Sequence, residues 1–252
     1  MSAAAYKPEE LLINTFAGLL EGVGHVAVGA LSPIPGCAAL LAQELANKKG
    51  RDVRVSIIHG DANNPFTDGG RELFDCAGQG RIGAFFLGGA QIDGKANVNL
   101  LGLGDYADLD VRFPGSYGSA YLYFLIPRVI LFRPEHSRRV LVPKVDFISA
   151  PGTSPPDIYR PGGPYALVTE RCVFSFERGK GRFSLQSVHA GETAASIKEN
   201  TGFEYDCPAE VPETAPPSAE TLALIRGAVG ADIAEIYPKF AREVLVLPII
   251  VR

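Results

Sequence analysis

The chain has 252 residues, 46% of them hydrophobic and 21% charged, and a formal net charge of −4, so it is long enough for one large or two small domains around a sizeable core. The mildly acidic balance offers no electrostatic footprint for nucleic acid or an anionic membrane surface. No apolar run reaches the ~20 residues of a membrane span, and no basic-then-apolar leader opens the chain, so a cytoplasmic enzyme is expected.

Pro8 suits the first turn of a helix carrying Leu11, Leu12, Phe16, Leu19 and Leu20 on one face, which Gly22 and Gly24 end. His25 to Gly29 reads as a short strand, and a second helix opens at Pro35 and stops at Asn47 to Gly50. Val53 to Ile58 alternates as a strand, Arg71 to Gly78 suits a short helix, and Ile82 to Leu87 is an apolar run. Strand and helix alternating at this spacing predict an α/β fold with a mostly parallel sheet flanked by helices. Ile82 to Leu87 is then expected to be a central strand buried on both faces.

Further strands are expected at Arg128–Phe132, Val140–Val142, Tyr165–Thr169, Cys172–Phe176 and Phe183–Val188, the last two joined as a hairpin by Gly179-Lys180-Gly181. Glu192–Glu199 reads as a short helix. The proline- and acid-rich stretch Cys207–Pro217 reads as a surface linker, and Ser218 as the cap of a helix carrying Leu222, Leu224, Ile225 and Val229. The division expected is a main domain over residues 1–206 and, over 207–252, a linker, helix and apolar tail packed on that domain or on a partner. The 4 cysteines are far apart and form no CxxC pair, so metal-site spacing is absent and buried free thiols are expected.

After Leu87 the chain turns at Gly88-Gly89, where a missing Cβ lets the backbone bend sharply and lets another molecule approach it. Ligands of open α/β sheets sit beyond the carboxyl ends of strands, which is where this pair falls. Gln91, Asp93, Asn97 and Asn99 follow, then Gly102, Gly104 and Asp105. Polar residues alternating with small ones suit an active-site lining, and equally a glycine-rich surface loop.

The blocks GGAQID with NVN and GDY, RFPGSYGSA (Arg112–Ala120), EHSRRVLVPKVDFISAPG (Glu135–Gly152) and ENTGFEYD (Glu199–Asp206) resemble class I CoA-transferase chains, the β subunit of glutaconate CoA-transferase in particular. The resemblance implies a CoA-transferase-like fold, and a coenzyme A thioester as substrate with no covalently bound cofactor. It also implies a site completed by a homologous α-type subunit, in a heterodimer or heterotetramer, with apolar tail residues such as Leu247, Ile249 and Ile250 helping to bury the interface. Gly88, Gly89 and Ala90 would offer backbone N–H groups to the thioester oxygen, with Gln91 beside them. Gly115, Ser116 and Gly118 match a Gly-Ser-Gly-Gly turn in which Tyr117 replaces a glycine. Arg133, Arg138, Arg139 and Lys144 form a basic cluster that would suit CoA phosphates, although a solvated surface accounts for it better.

One departure matters most. The family carries a reactive glutamate just past a strand, where it attacks the thioester and then holds CoA as a glutamyl thioester. The corresponding segment here reads SIIHGDANN, with His59 in the strand-register position and Asp61 two residues on. Asp61 in the reactive place preserves transfer through a shorter carboxylate. His59 there favours acid–base chemistry, as in family members that hydrolyse or decarboxylate acyl-CoA, and HGDA is similar to the DGEA turn of ring-opening hydrolases. A third reading is a non-catalytic subunit that completes a partner's site. Which acyl group is used does not follow from one chain.

Overall fold

The computed structural model describes residues 5–58, 60, 62–67 and 69–245. In chain order the elements are α1 (Pro8–Leu19), β1 (His25–Val28), α2 (Pro33–Asn47), β2 (Arg54–Ile57), α3 (Gly69–Gly78) and β3 (Ala84–Leu87). Next come β4 (Gln91–Ile92), β5 (Val98–Asn99), β6 (Gly102–Asp105), β7 (Asp108–Arg112), α4 (Ser119–Leu125) and β8 (Arg128–Phe132). The rest are β9 (Pro164–Val168), β10 (Cys172–Glu177), β11 (Arg182–Val188), α5 (Ala194–Asn200), α6 (Ala219–Leu224), α7 (Gly230–Ile236) and α8 (Pro238–Val244).

The fold is α/β, with a mostly parallel sheet and flanking helices, as expected. The chain partitions into two compact units. The first holds the described residues through Glu72, Ile82–Ala84 and those from Ala215; the second holds Leu73–Arg81 and Phe85–Thr214. The segment after residue 206 is thus shared, belonging to the second unit through Thr214 and to the first from Ala215.

In the first unit β1 and β2 pair in parallel, from His25 opposite Arg54 to Val28 opposite Ile57. A parallel pair needs a crossover, and α2 supplies it. Its first turn accepts both Pro33 and Pro35, because the N–H groups there have no intrahelical acceptor to lose. The helix therefore starts two residues before Pro35. In the second unit the strand order runs β11-β10-β9-β8-β3, with β8 parallel to β9 and β9, β10 and β11 antiparallel. Every residue of β3 is buried, and the strand neighbours β8 in the sheet. The central, doubly buried strand expected at Ile82–Leu87 is there.

Two expectations change and one is refined. Val140–Val142 is buried but forms no strand: Leu141 makes a single bridge to Ile92, and a Ser137 turn before it and Pro143 after it stop the ladder. The helix after Ser218 does not run through Val229. Ser218 caps it by accepting from Thr221 N, but Gly227 at φ −100°, ψ −105° kinks it into a wide turn before α7. The linker lies on the surface as expected but is tied down at one point. Val188 N donates to Pro212 O and Thr214 N to Val188 O, at 3.0 and 2.7 Å, so the linker covers the otherwise open edge of β11. Leu247, Ile249 and Ile250 of the tail lie outside the described residues. No helix among the described residues is long and apolar enough to cross a membrane.

A buried polar lock holds each unit. In the first, Glu10 is 1% exposed and takes a two-pronged contact from Arg226, Nε to Oε1 at 2.6 Å and Nη2 to Oε2 at 2.8 Å. Lys7 N donates to the same carboxylate at 2.8 Å. Burial alone would raise the Glu10 pKa, but the Arg226 and Lys7 hydrogen bonds outweigh it and the net direction is down.

In the second unit His136 is buried between Thr169 and Thr201, at 2.8 Å from Nδ1 and 3.0 Å from Nε2. Thr201 donates its own hydroxyl to Ile197 O, so Nε2 must donate to it. Thr169 accepts from Arg171 N and Cys172 N, leaving its hydroxyl proton for Nδ1. The ring is held neutral in one tautomer. Burial, with Arg171 nearby, lowers its pKa to about 4. His189, between Thr214 and the Thr169 carbonyl, is lowered by burial as well.

Two outcomes follow. Arg226→Met strands the Glu10 carboxylate and costs about 3 kcal/mol in urea unfolding, whereas the double change Glu10→Met with Arg226→Met regains most of that loss. Because the His136 pKa is depressed on folding, the unfolded chain takes up the proton first, near pH 6.5. Stability therefore falls as pH drops from about 6.5 to about 4 and then levels, with His136 contributing on the order of 3 kcal/mol. Urea midpoints of wild type and His136→Gln across that range check the slope, which flattens in the variant.

Candidate functional site

The turn after β2 carries the departure from the family pattern. His59 and Asp61 themselves lie outside the described residues, but the frame around them is fixed. Ile58 N donates to Val28 O at 3.1 Å, which ties the strand end to β1. Ile57 N donates to Asn63 O at 2.8 Å and Gly60 N to Ile57 O at 3.1 Å, closing a short loop over residues 57–63. Gly60 is closely covered: a Cβ there would stand 2.8 Å from Ile236 Cδ1 and 3.4 Å from Ile57 O, so the Ile236 side chain would have to shift. The same helix α7 presses on the start of α2, where a Cβ on Gly36 would lie 2.9 Å from Ile233 Cδ1. Tyr237 Oη accepts from Ser32 N at 3.3 Å just before that helix.

In the second unit, the glycines after β3 admit the chain's own neighbours. A Cβ on Gly89 would stand 2.5 Å from Val98 Cγ1 and 3.1 Å from Gln91 O, and one on Gly88 3.2 Å from Phe132 O. The close approach expected there is made by β5 and the end of β8. Ala90 is corrected as an oxyanion donor: its N–H already donates to Asn99 O at 2.9 Å. Gln91 Oε1 accepts from Asn99 Nδ2 at 2.8 Å and from Asp146 N at 3.0 Å.

The other polar residues of this stretch are equally committed. Asp93 accepts from Lys95 N, Asn97 N and Asn97 Nδ2 at 3.0, 3.1 and 3.0 Å. Asn97 Oδ1 accepts from Gly152 N at 3.1 Å, and Asn99 holds Leu101 N and Gly102 O. All four side chains are buried. They tie this stretch into a framework, and Asp93 and Asn97 also line a cleft beside Lys95 and Lys144. The sequence shows only their alternation with small residues, and a framework and a lining share that pattern.

The turn before α4 differs. Gly115 has φ +103° and Ser116 O accepts from Ser119 N at 2.8 Å. Tyr117 adopts φ +48°, a left-handed conformation costing a side-chain-bearing residue on the order of 1 kcal/mol. Its ring is 86% exposed and leans on Phe74, centroid to centroid 5.4 Å, with Tyr121 on the same phenyl ring at 5.9 Å. Gly118 has no room for a Cβ because the Phe74 ring fills it. Sequence reasoning missed Phe74, which α3 brings from a distant part of the chain.

The basic cluster disperses. Glu135 pairs with Arg139 at 2.7 Å and with Arg133 at 3.6 Å. The Ser137 hydrogen bond, then Arg139, holds its carboxyl below the usual range. Lys144 instead rims a cleft with Lys95, Arg182 and Phe203. Burial pushes the Cys37 thiol up to about 12, so it is no nucleophile at neutral pH.

Comparison with known proteins matches residues 28–200 to the family described as coenzyme A transferase. The chain is 35% identical over 153 residues to the B-type polypeptide of the 3-oxoadipate CoA-transferase of Pseudomonas knackmussii, 58% of each chain. It is 32% identical over 148 residues to the B-type polypeptide of the glutaconate CoA-transferase of Acidaminococcus fermentans, covering 56% of this chain and 54% of that one. The matched stretch thus spans little more than half the length of these relatives. Among solved structures it superposes on a chain of the decarboxylase AibA/AibB with a TM-score of 0.73 at 25% identity, over 95% of this chain and 99% of that one. With the family match running through both units, the chain belongs to the coenzyme A transferase family.

Proposed function

We propose that this chain is the β-type subunit of an enzyme acting on an acyl-CoA thioester, and that it works without a glutamyl-CoA intermediate. One observation carries the reading: from Val53 to Arg71, which includes the turn where the family's reactive glutamate stands, there is no glutamate. His59 is the general base in this reading. A neutral imidazole takes a proton from water, the hydroxide attacks the thioester carbonyl, and the CoA thiolate leaves and is protonated. Decarboxylation would use the same residue as a proton donor to the carbon left behind. A family whose solved members include a decarboxylase supports chemistry other than transfer, since membership constrains fold better than reaction.

A second reading has its own support, because the two curated relatives described are CoA-transferases. In it Asp61 attacks the thioester and CoA leaves as thiolate; the thiolate then attacks the aspartyl carbonyl of the mixed anhydride, breaking its C–O bond, so that an enzyme thioester forms and the acyl group departs as a carboxylate.

The partner is an α-type subunit in a heterodimer or heterotetramer. The chain expressed alone is expected to lack acyl-CoA turnover and to gain it on co-expression with that subunit. A fully active monomer in size-exclusion chromatography would overturn the pairing.

Borohydride separates the two chemistries. The assembled enzyme is incubated with acetyl-CoA, succinyl-CoA or benzoyl-CoA, reduced, digested, and the peptides from Val53 to Arg71 are weighed by mass spectrometry. The expected result is no reduced residue, turnover that needs no free carboxylate acceptor, and a loss of 10²-fold or more in kcat for His59→Ala. Reduction at Asp61 with ping-pong kinetics restores transfer.

A further inference from the structure

A cleft of about 660 Å³ opens in the second unit, between the β4–β5 turn, the stretch after Val142, the start of β11 and residues 202–204. That volume lies within the range of small-molecule sites, roughly 300–1,000 Å³. Its lining is charged: Lys95, Lys144 and Arg182 supply cations, and Asp93 and Glu204 supply carboxylates.

Some of these charges are already spent on the chain itself. Asp93 is 4% exposed, and its oxygens accept from Lys95 N, Asn97 N and Asn97 Nδ2 in the turn it closes. Arg182 Nε stands 3.1 Å from Asp206 Oδ1. Lys95 and Lys144 differ. Both are exposed, and among the described residues neither ammonium group has a carboxylate within salt-bridge distance, the exposed Glu204 included.

Their main chain is held in place. Beside Lys95, Ala96 N donates to Asp93 O and Tyr123 Oη donates to Ala96 O, each at 2.9 Å. Lys144 stands between Pro143 and the buried Val145, in a stretch tied down by Val142 N to Ile92 O at 3.0 Å and Gly202 N to Leu141 O at 2.7 Å. Two uncompensated cations lining one cleft focus a positive potential there and attract an anion. Lysine binds phosphate as a point charge. A bare phosphate ion would fill little of the volume, and Pro143, Ile148 and Phe203 make part of the lining apolar. That mixture suits the carbon body of a phosphate ester.

We propose that this cleft binds a small molecule that carries a diphosphate on a ring-bearing body, as a nucleoside diphosphate does, with Lys95 and Lys144 holding the phosphates. The cleft lies wholly inside the second unit and uses neither His59 nor Asp61, so the assignment goes beyond the acyl-CoA reading and does not depend on it. A free nucleotide and the head of coenzyme A offer the same diphosphate, and competition tells them apart.

The enzyme assembled with its α-type subunit is titrated calorimetrically with ADP, pyrophosphate and adenosine, as wild type, Lys95→Gln, Lys144→Gln, the double variant and Arg138→Gln. The two lysines are exposed, so the variants are expected to melt with wild type. Arg138 is an exposed cation that does not line the cleft, and its variant is the control for net charge. ADP is expected to bind more tightly than pyrophosphate, and adenosine to give no measurable heat. Each single lysine change weakens ADP roughly three- to tenfold, the double change weakens it further, and Arg138→Gln leaves it unchanged. Displacement of ADP by CoA assigns the diphosphate to the coenzyme's head, and ADP binding that CoA does not disturb assigns it to a free nucleotide; the site stands in both cases. Wild type that binds neither ADP nor pyrophosphate, ADP binding that ignores both lysines, or an equal loss in Arg138→Gln overturns the assignment. So does ADP binding by the chain alone that is lost on assembly, which would make the cleft a subunit contact. None of these failures bears on the acyl-CoA reading, which is tested by turnover.

Discussion

The second unit depends on the buried network of Gln91, Asp93, Asn97 and Asn99. β4 and β5 are two residues each, too short to hold a sheet by their own ladder. Amide and carboxylate side chains take the ladder's place. They bind the main chain at Lys95, Asn97, Leu101, Gly102, Asp146 and Gly152, so segments far apart in sequence become one rigid piece. A buried polar group without a partner is expensive, and removing any one of these would strand at least one other. Gly88 and Gly89 let β3 leave the sheet beside this network, which fixes the direction of the strand's exit.

A similar device recurs around Thr169. Its hydroxyl accepts from two main-chain N–H groups and serves His136, while its carbonyl serves His189. The two histidines are thereby turned into neutral hydrogen-bonding struts between strands, helix and linker. In the first unit the Glu10–Arg226 contact links the first helix to the kinked helices near the chain's end. Both devices bury at least one ionisable group, Glu10 in one and His136 and His189 in the other, which makes stability sensitive to pH.

Against these fixed parts, few positions are left to do chemistry. Ile57 N donates to Asn63 O, and Gly60 packs against Ile236 of α7, while His59 and Asp61 lie outside the described residues. Tyr117 stands out as an exposed ring on a strained backbone. Both features sit where the chain departs from the transferase pattern, at the missing glutamate and at the missing glycine. The family fixes the scaffold, and these departures bear on what it catalyses.

The sequence alone determined the alternation of strand and helix, the doubly buried β3, the β10–β11 hairpin, the Ser218 cap and the family, because each is written in local periodicity, turn chemistry or contiguous motifs. It also located the missing glutamate, a matter of residue identity. It could not tell framework from lining at Gln91 to Asn99, since alternating polar and small residues look the same whether their partners are the chain's own amides or a ligand. Nor could it show that Val140–Val142 lacks a ladder, that the linker covers β11, or that His136 is a strut, because each depends on partners distant in sequence. Tyr117 shows the limit most clearly. The substitution is visible in the sequence, but its left-handed backbone, its exposure and its brace on Phe74 exist only once α3 and α4 are packed together.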